Sequence, residues 1–398
     1  KGYLLRVGID HFKEINEKFS MEYGDFILRE TAACISSCMS EKQRVYKLMA
    51  DEFLILDVSS DDTKEAGKLF IKIRESIDQF VEENDFEVMY TISGGSLALH
   101  SSENIEYSKV MKLTDFSLNE AKKRGRNRCY IFDEKDYSRF IRKGEITQEL
   151  REATRNGFQG FVAFYQPVIE AKSGRLSGAE SLMRFSSSKF GMVSPVEFIP
   201  ILEETGLIIP VGRWMMKEAM EKCSQIRKVI PGFKVNINIS QVQVSKSDVI
   251  IDIADEMGKA GLSPEAMNIE LTESDLLEGD INTQHFLKEL KRMGIKLALD
   301  DFGTGYSNFH YLSELDPEII KIDRSFTSSA VADEKEYYLL KQFCRMIHNL
   351  GLKICIEGVE NQEEWAKIQK LEPDFGQGFF WGRPCGYDEF VRQFIEKK

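Results

Sequence analysis

Six short apolar runs after Phe161 each end in a polar or charged residue. These end residues are Glu180, Asn238, Glu270, Asp300, Lys321 and Glu357. Carboxylates and an amide are hard oxygen ligands, which suit Mg²⁺ or Mn²⁺ better than zinc. Two cations held by such a set can activate a water molecule and neutralise phosphate oxygens. The lysine would add a fixed positive charge near the attacking water or the phosphate.

The spacing of these six residues predicts the fold that brings them together. Successive members are separated by 58, 32, 30, 21 and 36 positions. Most intervals therefore approximate one strand plus one helix, and the first spans two such units. This rhythm is typical of a closed (β/α) barrel, in which functional residues gather at the carboxyl ends of the strands. Because so many carboxylates would repel one another without a cation, we predict a metal site at the barrel mouth.

Asp301 directly follows Asp300, and adjacent residues of a regular strand face opposite sides. Both can serve one site only where the strand ends and the chain turns, which the glycines that follow permit. Each residue alone also fits a plainer role, such as a solvated rim carboxylate, a loop-capping aspartate or, for Lys321, a partner of Asp323. The recurrence of all six at one position of the rhythm favours the metal site.

The N-terminal part of the chain predicts a separate α/β unit of strands and amphipathic helices. We place a first domain at 1–134, a linker helix at 135–145 and a second domain at 146–398. Within the first domain, "RVYKLMADEFLIL" (residues 44–56) predicts a β-hairpin. Its turn carries Met49 and Ala50, although hairpin turns usually carry Gly or Asn because φ is often positive there.

Composition limits the classes of function. The chain of 398 residues is 42% hydrophobic and 30% charged, as in ordinary globular proteins. Its net charge of −12 argues against contact with duplex nucleic acid. Seven scattered cysteines favour a reducing compartment, and no apolar run approaches the roughly 18 residues of a membrane span. We expect a cytoplasmic fragment without membrane contact of its own, as the cytoplasmic part of a larger membrane-bound or sensor protein.

The barrel part, from about Gly144 to Lys398, resembles the EAL family of cyclic di-GMP phosphodiesterases. The matching motifs are "FYQPVIEAKSGRLSGAESLMRF", "VNINIS", "IELTES", "LALDDFGTGYSNFHYL", "IIKIDRSF", "CIEGVE" and "FGQGFFWGRP". Ser181 stands where the family name has Ala, at a position that is not a ligand. The resemblance implies a TIM-type (β/α)8 barrel with an antiparallel first strand. It also implies metal-dependent hydrolysis of cyclic di-GMP to linear pGpG.

The same resemblance implies roles for individual residues. The implied ligands of two Mg²⁺ or Mn²⁺ ions are Glu180, Asn238, Glu270, Asp300, Asp301 and Glu357. The implied catalytic residues are Lys321, Glu180, Asp301 and Glu357. The residues implied to line the nucleotide groove are Gln166, Leu182, Arg184, Asp323, Glu360 and Gln377. Glu273 is implied to stabilise the "DFGTGYSN" loop, which in the family couples dimerisation to metal binding, so we expect a homodimer through this domain.

The first domain resembles the GGDEF diguanylate cyclase family in "VGIDHFKEINEKF", "YGDFILRE", "MADEF", "YTISGG" and "AKKRGRNR". This resemblance implies a nucleotidyl-cyclase-like α/β sandwich around a mainly antiparallel sheet. Gly8 stands where the family has its first metal-binding Asp, and Met49 and Ala50 replace the two turn glycines. Asp51 alone would hold Mg²⁺ weakly. We therefore predict a degenerate domain without cyclase activity.

Part of the nucleotide pocket of the GGDEF family is retained. Asn16 and Asp25 match positions that read the guanine edge, and Lys122 and Arg126 match positions that contact phosphates. These matches imply a domain that binds GTP and regulates its neighbour. In the plainer interpretation Asn16 caps a helix, Asp25 starts one, and the two basic residues are solvated.

Three other functions compete with hydrolysis. A cyclic di-GMP receptor that no longer hydrolyses would be favoured by a missing ligand, and none is missing. A scaffold would use both domains only for dimer contacts. A bifunctional cyclase and phosphodiesterase is disfavoured by Gly8, Met49 and Ala50.

Overall fold

The computed structural model describes residues 1–83, 90–99, 106–272, 281–303 and 316–396. The chain divides into two compact units, Lys1–Arg142 and Lys143–Lys398. This division falls within one helix, Glu134–Arg155, which is longer than the linker helix predicted at 135–145. The domain boundaries at 134 and 146 stay a prediction. No helix in the described ranges is both long enough and apolar enough to span a membrane.

The first unit is built on a five-stranded sheet. Its strands are β1 (Gly2–Ile9), β2 (Gln43–Lys47), β3 (Glu52–Asp57), β4 (Ile92–Leu99) and β5 (Cys129–Ile131). Its helices are α1 (Phe12–Lys18), α2 (Met21–Ser37), α3 (Thr63–Glu83) and α4 (Tyr107–Lys123), and the unit ends within α5 (Glu134–Arg155). The order is β2-β3-β1-β4-β5, and only β4 and β5 are parallel. This confirms the predicted sandwich with a mainly antiparallel sheet.

Alternation along β1 places helices on both faces of this sheet. Leu5 and Val7 are buried in a core that includes residues of α2 and α3. Gly8 faces the other way, since a Cβ at this position would lie 3.3 Å from Leu118 Cδ2 of α4. The strand therefore sits at the centre of the unit.

The predicted hairpin of residues 44–56 is formed by β2 and β3, with Lys47 opposite Phe53. Its turn is closed by a hydrogen bond from Leu48 N to Glu52 O of 2.9 Å. Ala50 takes a left-handed backbone with a φ of 52°, which a residue with a Cβ adopts at a cost. The turn therefore retains a glycine-like conformation without a glycine.

Replacing Ala50 with glycine is expected to raise the free energy of unfolding by up to about 1 kcal/mol, because glycine adopts the left-handed region without a Cβ clash. Chemical denaturation would measure this gain. Met49→Gly is the matched control, since Met49 is not among the residues with positive φ and its replacement adds only flexibility to the unfolded chain. Equal effects of the two substitutions would contradict the explanation.

The second unit is a closed barrel with short additions. Its strands are β6 (Phe161–Glu170), β7 (Leu176–Ser187), β8 (Gly191–Val193), β9 (Lys234–Asn238), β10 (Met267–Thr272), β11 (Lys296–Phe302), β12 (Ile319–Ile322), β13 (Lys353–Ile356), β14 (Phe375–Gly376) and β15 (Cys385–Gly386). Its helices are α6 (Pro195–Thr205), α7 (Ile208–Arg227), α8 (Gln241–Lys246), α9 (Val249–Ala260), α10 (Ile281–Met293), α11 (Arg324–Ala332), α12 (Glu334–Asn349), α13 (Gln362–Ile368) and α14 (Tyr387–Phe390). Strands β6, β7 and β9 to β14 close the barrel through the β6–β7 pairing. Strand β6 is antiparallel to both of its barrel neighbours, whereas the other barrel pairs are parallel. This confirms the predicted (β/α)8 barrel with an antiparallel first strand.

The two-residue period of the strands separates the polar groups of the site from the apolar layer around the barrel. On β10, Ile269 and Leu271 belong to the large core that also contains residues of the surrounding helices. Glu270 between them is fully buried and accepts hydrogen bonds from Asn236 of β9 and Lys321 of β12. The apolar runs of the sequence therefore hold the helices in place and orient the polar residues inward.

Candidate active site

Lys321 lies at the centre of the predicted strand-end residues. Its side chain is 1% exposed, and its ammonium contacts one carboxylate from each of four other strands or strand ends. From Lys321 Nζ the distances are 2.8 Å to Glu357 Oε1, 2.9 Å to Glu270 Oε2, 3.0 Å to Asp300 Oδ1 and 3.2 Å to Glu180 Oε2. The structure thus brings together all of the charged residues that the barrel rhythm had singled out.

Asp323 has a different role from the one considered for it as a partner of Lys321. Its Oδ1 accepts a hydrogen bond of 2.8 Å from Ser325 N and caps α11. The plainer interpretation, in which Lys321 simply pairs with Asp323, is therefore wrong.

Asp300 and Asp301 reach one site because β11 is irregular at its end. The pairing of β11 with β12 shifts register between Leu299 and Phe302, and Asp301 has a left-handed φ of 52°. Oxygens of Asp300, Asp301 and Glu357 consequently lie within 4.8 Å of one another. The chain turns at Asp301 itself, ahead of the glycines that the sequence suggested.

A second group of three carboxylates shares Asp300 with the first. Oxygens of Glu180, Glu270 and Asp300 also lie within 4.8 Å of one another. Two adjoining oxygen clusters with one common member are the arrangement expected for two neighbouring divalent cations. The donor set is all oxygen, as Mg²⁺ and Mn²⁺ require.

Neighbouring amides hold the Glu180 carboxylate in place. Asn238 Nδ2 donates to Glu180 Oε1 at 2.8 Å, and Gln377 Nε2 donates to Glu180 Oε2 at 2.7 Å. With its NH2 group committed to Glu180, Asn238 retains its carbonyl oxygen as an acceptor or a ligand. Ser181, the residue that departs from the family name, donates to the Asn236 carbonyl at 2.8 Å.

The electrostatics of the cluster follow from burial and from Lys321. Burial, reinforced by Glu180, raises the pKa of Glu270 well above its usual range. Burial also raises the pKa of Glu357, although Lys321 opposes this shift. The opposite holds for Glu180, because the effect of burial is outweighed by Lys321 and two amide donors and its pKa is lowered. Burial and Asp300 raise the pKa of Asp301 to about 6.

Two cavities adjoin the carboxylate cluster. The first, of about 200 Å³, is lined by four of the predicted groove residues, which are Gln166, Leu182, Glu360 and Gln377. The second, of about 350 Å³, is lined by Leu182 and Arg184. Glu180, Leu182 and Asp300 line both cavities. Asp323 is not among the described residues that line either cavity, and its role in a groove stays a prediction.

Sequence reasoning missed several residues that line these cavities. Arg324 and Phe379 line the first, where Arg324 forms an ion pair of 2.6 Å with Glu360. Glu203 lines the second and accepts a hydrogen bond of 2.6 Å from Ser240 Oγ. Glu203 lies on a helix and Arg324 begins one, so a search for strand-end residues could not find them. Two adjacent phenylalanines in "FGQGFFWG" were the one available signal for Phe379.

Glu273 and residues 304–308 of the "DFGTGYSN" loop lie outside the described residues. The loop-stabilising role of Glu273 and the homodimer therefore stay predictions.

In the first unit, a lysine lies beside the position of the missing cyclase carboxylate. A Cβ at Gly8 would lie 3.2 Å from Lys122 Nζ and 3.5 Å from Glu52 Cγ. An ammonium at this place repels a divalent cation, which the carboxylate of a cyclase would attract.

Of the residues matched to GTP contacts, two lie on α1 and α2, and the other two lie at or just after the end of α4. Asn16 lies inside α1 and packs against Gly24, since a Cβ at Gly24 would overlap with Asn16 Oδ1. Asp25 is an exposed residue inside α2. The plainer interpretation of these two residues as a helix cap and a helix start is therefore wrong. Lys122 and Arg126 both line a cavity of about 670 Å³ together with aromatic residues of α4 and α5.

Comparison with known proteins agrees with this architecture. The EAL domain family matches residues 147–384, and the family described as "Diguanylate cyclase, GGDEF domain" matches residues 1–128. The chain belongs to the EAL family and carries a GGDEF domain ahead of its EAL domain. Both resemblances inferred from the motifs are thereby confirmed.

Individual relatives match almost the whole chain. The "Bifunctional diguanylate cyclase/cyclic di-GMP phosphodiesterase MucR" of Pseudomonas aeruginosa is 29% identical over 392 residues, which are 98% of this chain and 56% of the relative. The "Signaling protein YkoW" of Bacillus subtilis is 30% identical over 390 residues, which are 98% of this chain and 48% of the relative. The chain thus spans about half the length of the curated relatives it matches.

A solved structure matches the fold of the second unit. It is described as "PaMucR Phosphodiesterase, c-di-GMP complex" and is 29% identical with a TM-score of 0.58. The match covers 62% of this chain and 99% of the solved one.

Proposed function

We propose that the barrel unit hydrolyses one phosphodiester bond of cyclic di-GMP and releases linear pGpG, with the help of two Mg²⁺ or Mn²⁺ ions. The observation that carries the proposal is the convergence of four carboxylates on the buried Lys321 ammonium. It is supported by a relative whose solved structure is described as a phosphodiesterase complex with c-di-GMP.

The charge of the cluster fits two divalent cations. The cluster contains five carboxylates and one ammonium, which leaves an excess of four negative charges when all are ionised. Glu180, Glu270 and Asp300 would hold one cation, and Asp300, Asp301 and Glu357 the other, while the Asn238 carbonyl adds a neutral ligand. Such ions supply a water molecule with a lowered pKa and neutralise phosphate oxygens.

Residues of the chain would position the substrate and stabilise the negative charge of its phosphate. Lys321 offers an ammonium to the attacking water or to the phosphate, at a place where burial strengthens electrostatic attraction. The two cavities that meet at Glu180 and Asp300 suit a ligand with a base on each side of a central phosphate. Phe379 in the first cavity and Arg184 in the second offer flat surfaces for stacking on the bases.

Binding of a cation should stabilise the protein more at neutral than at acidic pH. The pKa of Asp301 is raised to about 6 in the folded state, so its stabilising contribution is present at about pH 4 and is lost as pH rises through 6. The cation restores this loss by binding the ionised carboxylate. The rise in Tm caused by Mn²⁺ should therefore be larger at about pH 7 than at about pH 5, as measured by thermal unfolding. A shift that is independent of pH in the wild type, or unchanged in Asp301→Asn, would contradict this explanation.

We propose that the first unit makes no cyclic di-GMP. The absence of a carboxylate at Gly8 and the proximity of Lys122 support this proposal. Incubating GTP and Mg²⁺ with the Glu180→Gln variant is the sharpest test, because any product would escape hydrolysis by the barrel unit. Chromatography should detect no cyclic di-GMP, and its accumulation would overturn the proposal.

The cavity lined by Lys122 and Arg126 supports GTP as a regulator of the barrel unit. Titrating GTP into the cyclic di-GMP hydrolysis assay should change the rate, whereas Lys122→Met together with Arg126→Met should remove this response. Rates that stay constant, together with no binding of GTP in calorimetry, would overturn the regulatory role and leave the hydrolase proposal standing.

A further inference from the structure

Two asparagines lie inside the barrel beneath the carboxylate cluster. Asn236 of β9 and Asn268 of β10 lie opposite each other in the parallel pairing of these strands. Each precedes a residue of the site, Asn238 or Glu270, by two positions. Because side chains alternate along a strand, they face the same interior as those residues, about 7 Å deeper. They are 7% and 4% exposed. Barrel interiors are usually filled at such depth by branched apolar residues.

The two amides form a chain of hydrogen bonds that ends on Glu270. Asn268 Nδ2 donates to Asn236 Oδ1 at 2.9 Å, and Asn236 Nδ2 donates to Glu270 Oε1 at 2.7 Å. Lys321 donates to the other oxygen, Glu270 Oε2, at 2.9 Å. Each oxygen of this fully buried carboxylate therefore has its own donor.

The direction of the chain is set by the carboxylate. Glu270 is ionised when it pairs with the Lys321 ammonium, and an ionised carboxylate only accepts hydrogen bonds, so Asn236 turns its NH2 group towards it. The side-chain carbonyl of Asn236 then faces Asn268, which donates a hydrogen bond to it from its own NH2 group. Asn268 Oδ1 is left buried without a hydrogen-bond partner among the described residues. An unsatisfied buried acceptor is costly, so the pair is oriented for Glu270 rather than for its own hydrogen bonding.

We propose that Asn236, itself oriented by Asn268, is a positioning residue for Glu270. It fixes Glu270 Oε1 on the inner side of the barrel and leaves Oε2 facing Lys321 and the cation site. The inference rests on the proposed function, since it assigns how one ligand of the proposed metal centre is held. Neither asparagine is among the described residues that line the two cavities.

Calorimetric titration of Mn²⁺ into the full chain tests this role without a catalytic readout. Partners behind a metal ligand typically contribute roughly 10–100-fold to metal affinity, so Asn236→Leu should weaken Mn²⁺ binding by about that factor. Asn268→Leu should have a smaller effect, because Asn236 keeps its donor but loses its orientation. Ser181→Ala is the matched control, since it removes a buried hydrogen bond to the Asn236 main chain and should bind Mn²⁺ like the wild type.

The double variant Asn236→Leu with Asn268→Leu separates positioning from stability. Replacing both partners of a buried hydrogen bond with apolar groups of similar shape can be nearly neutral for folding. The double variant should therefore unfold closer to the wild type than Asn236→Leu does, yet bind Mn²⁺ as weakly. If Asn236→Leu does not fold, the double variant and Asn268→Leu decide the question.

The outcomes distinguish this inference from the proposed function. Equal Mn²⁺ affinities of the wild type and the asparagine variants would overturn the positioning role alone. An equal loss of affinity in Ser181→Ala would also overturn it, because the effect would then be general to these strands. Failure of the wild type to bind Mn²⁺ at all would overturn both the metal centre and the inference.

Discussion

Lys321→Met is expected to lower the proposed hydrolysis of cyclic di-GMP by roughly 10²–10⁴-fold, because it removes a group that would act on the reacting water or phosphate. The substitution keeps the aliphatic stem but removes the ammonium from the centre of the carboxylates. Breaking a buried ion pair from one side typically costs about 3–5 kcal/mol. The metal-free variant should therefore also unfold more easily, and Mn²⁺ should recover part of the loss by replacing the missing charge.

Rates of pGpG formation and chemical unfolding with and without Mn²⁺ would measure these effects. Lys353→Met is the matched control, because Lys353 forms a more exposed ion pair of 3.0 Å with Glu318, outside the site. Wild-type rates in Lys321→Met would remove Lys321 from the mechanism.

The second large effect is expected for Glu180→Gln. The amide keeps the shape of the side chain and an acceptor for Asn238, but it has no negative charge to hold a cation. Activity should fall by at least about 100-fold, beyond the 10–100-fold typical for partners behind a ligand. Binding of cyclic di-GMP should persist in part, because both cavities keep their remaining walls.

Initial rates and fluorescence titrations with cyclic di-GMP would separate these two quantities. Glu170→Gln is the matched control. Glu170 also ends a barrel strand, but β6 is antiparallel, so Glu170 pairs with Phe375 at the other end of the barrel from the site. If Glu180→Gln retained the wild-type rate, as Glu170→Gln should, the carboxylate cluster would not be the active site.

The sequence was informative where a residue type and a period coincide. Glu270 and Lys321 could be found because each ends an apolar run, and the strand-plus-helix intervals then place them at one barrel mouth. The hairpin at residues 44–56 followed in the same way from two apolar runs around a polar break. These features depend on local periodicity, which a single sequence displays directly.

Other features depend on tertiary contacts that no local pattern encodes. Asn236 and Asn268 lie inside the apolar runs, and only the register of β9 against β10 shows that they face each other. The left-handed backbone of Asp301 replaces the turn that the glycines suggested. Glu203 enters the site from a helix rather than from a strand end.

A single-turnover experiment tests the central claim most directly. The purified chain, in excess over cyclic di-GMP and supplied with Mg²⁺ or Mn²⁺, should convert all of the dinucleotide to pGpG, and chelation of the metal should prevent this. Because the protein is in excess, each molecule acts at most once and slow release of the product cannot limit the conversion. The experiment therefore reports on binding and the chemical step. Recovery of intact cyclic di-GMP that is bound to the wild-type protein would contradict the hydrolase and identify a receptor.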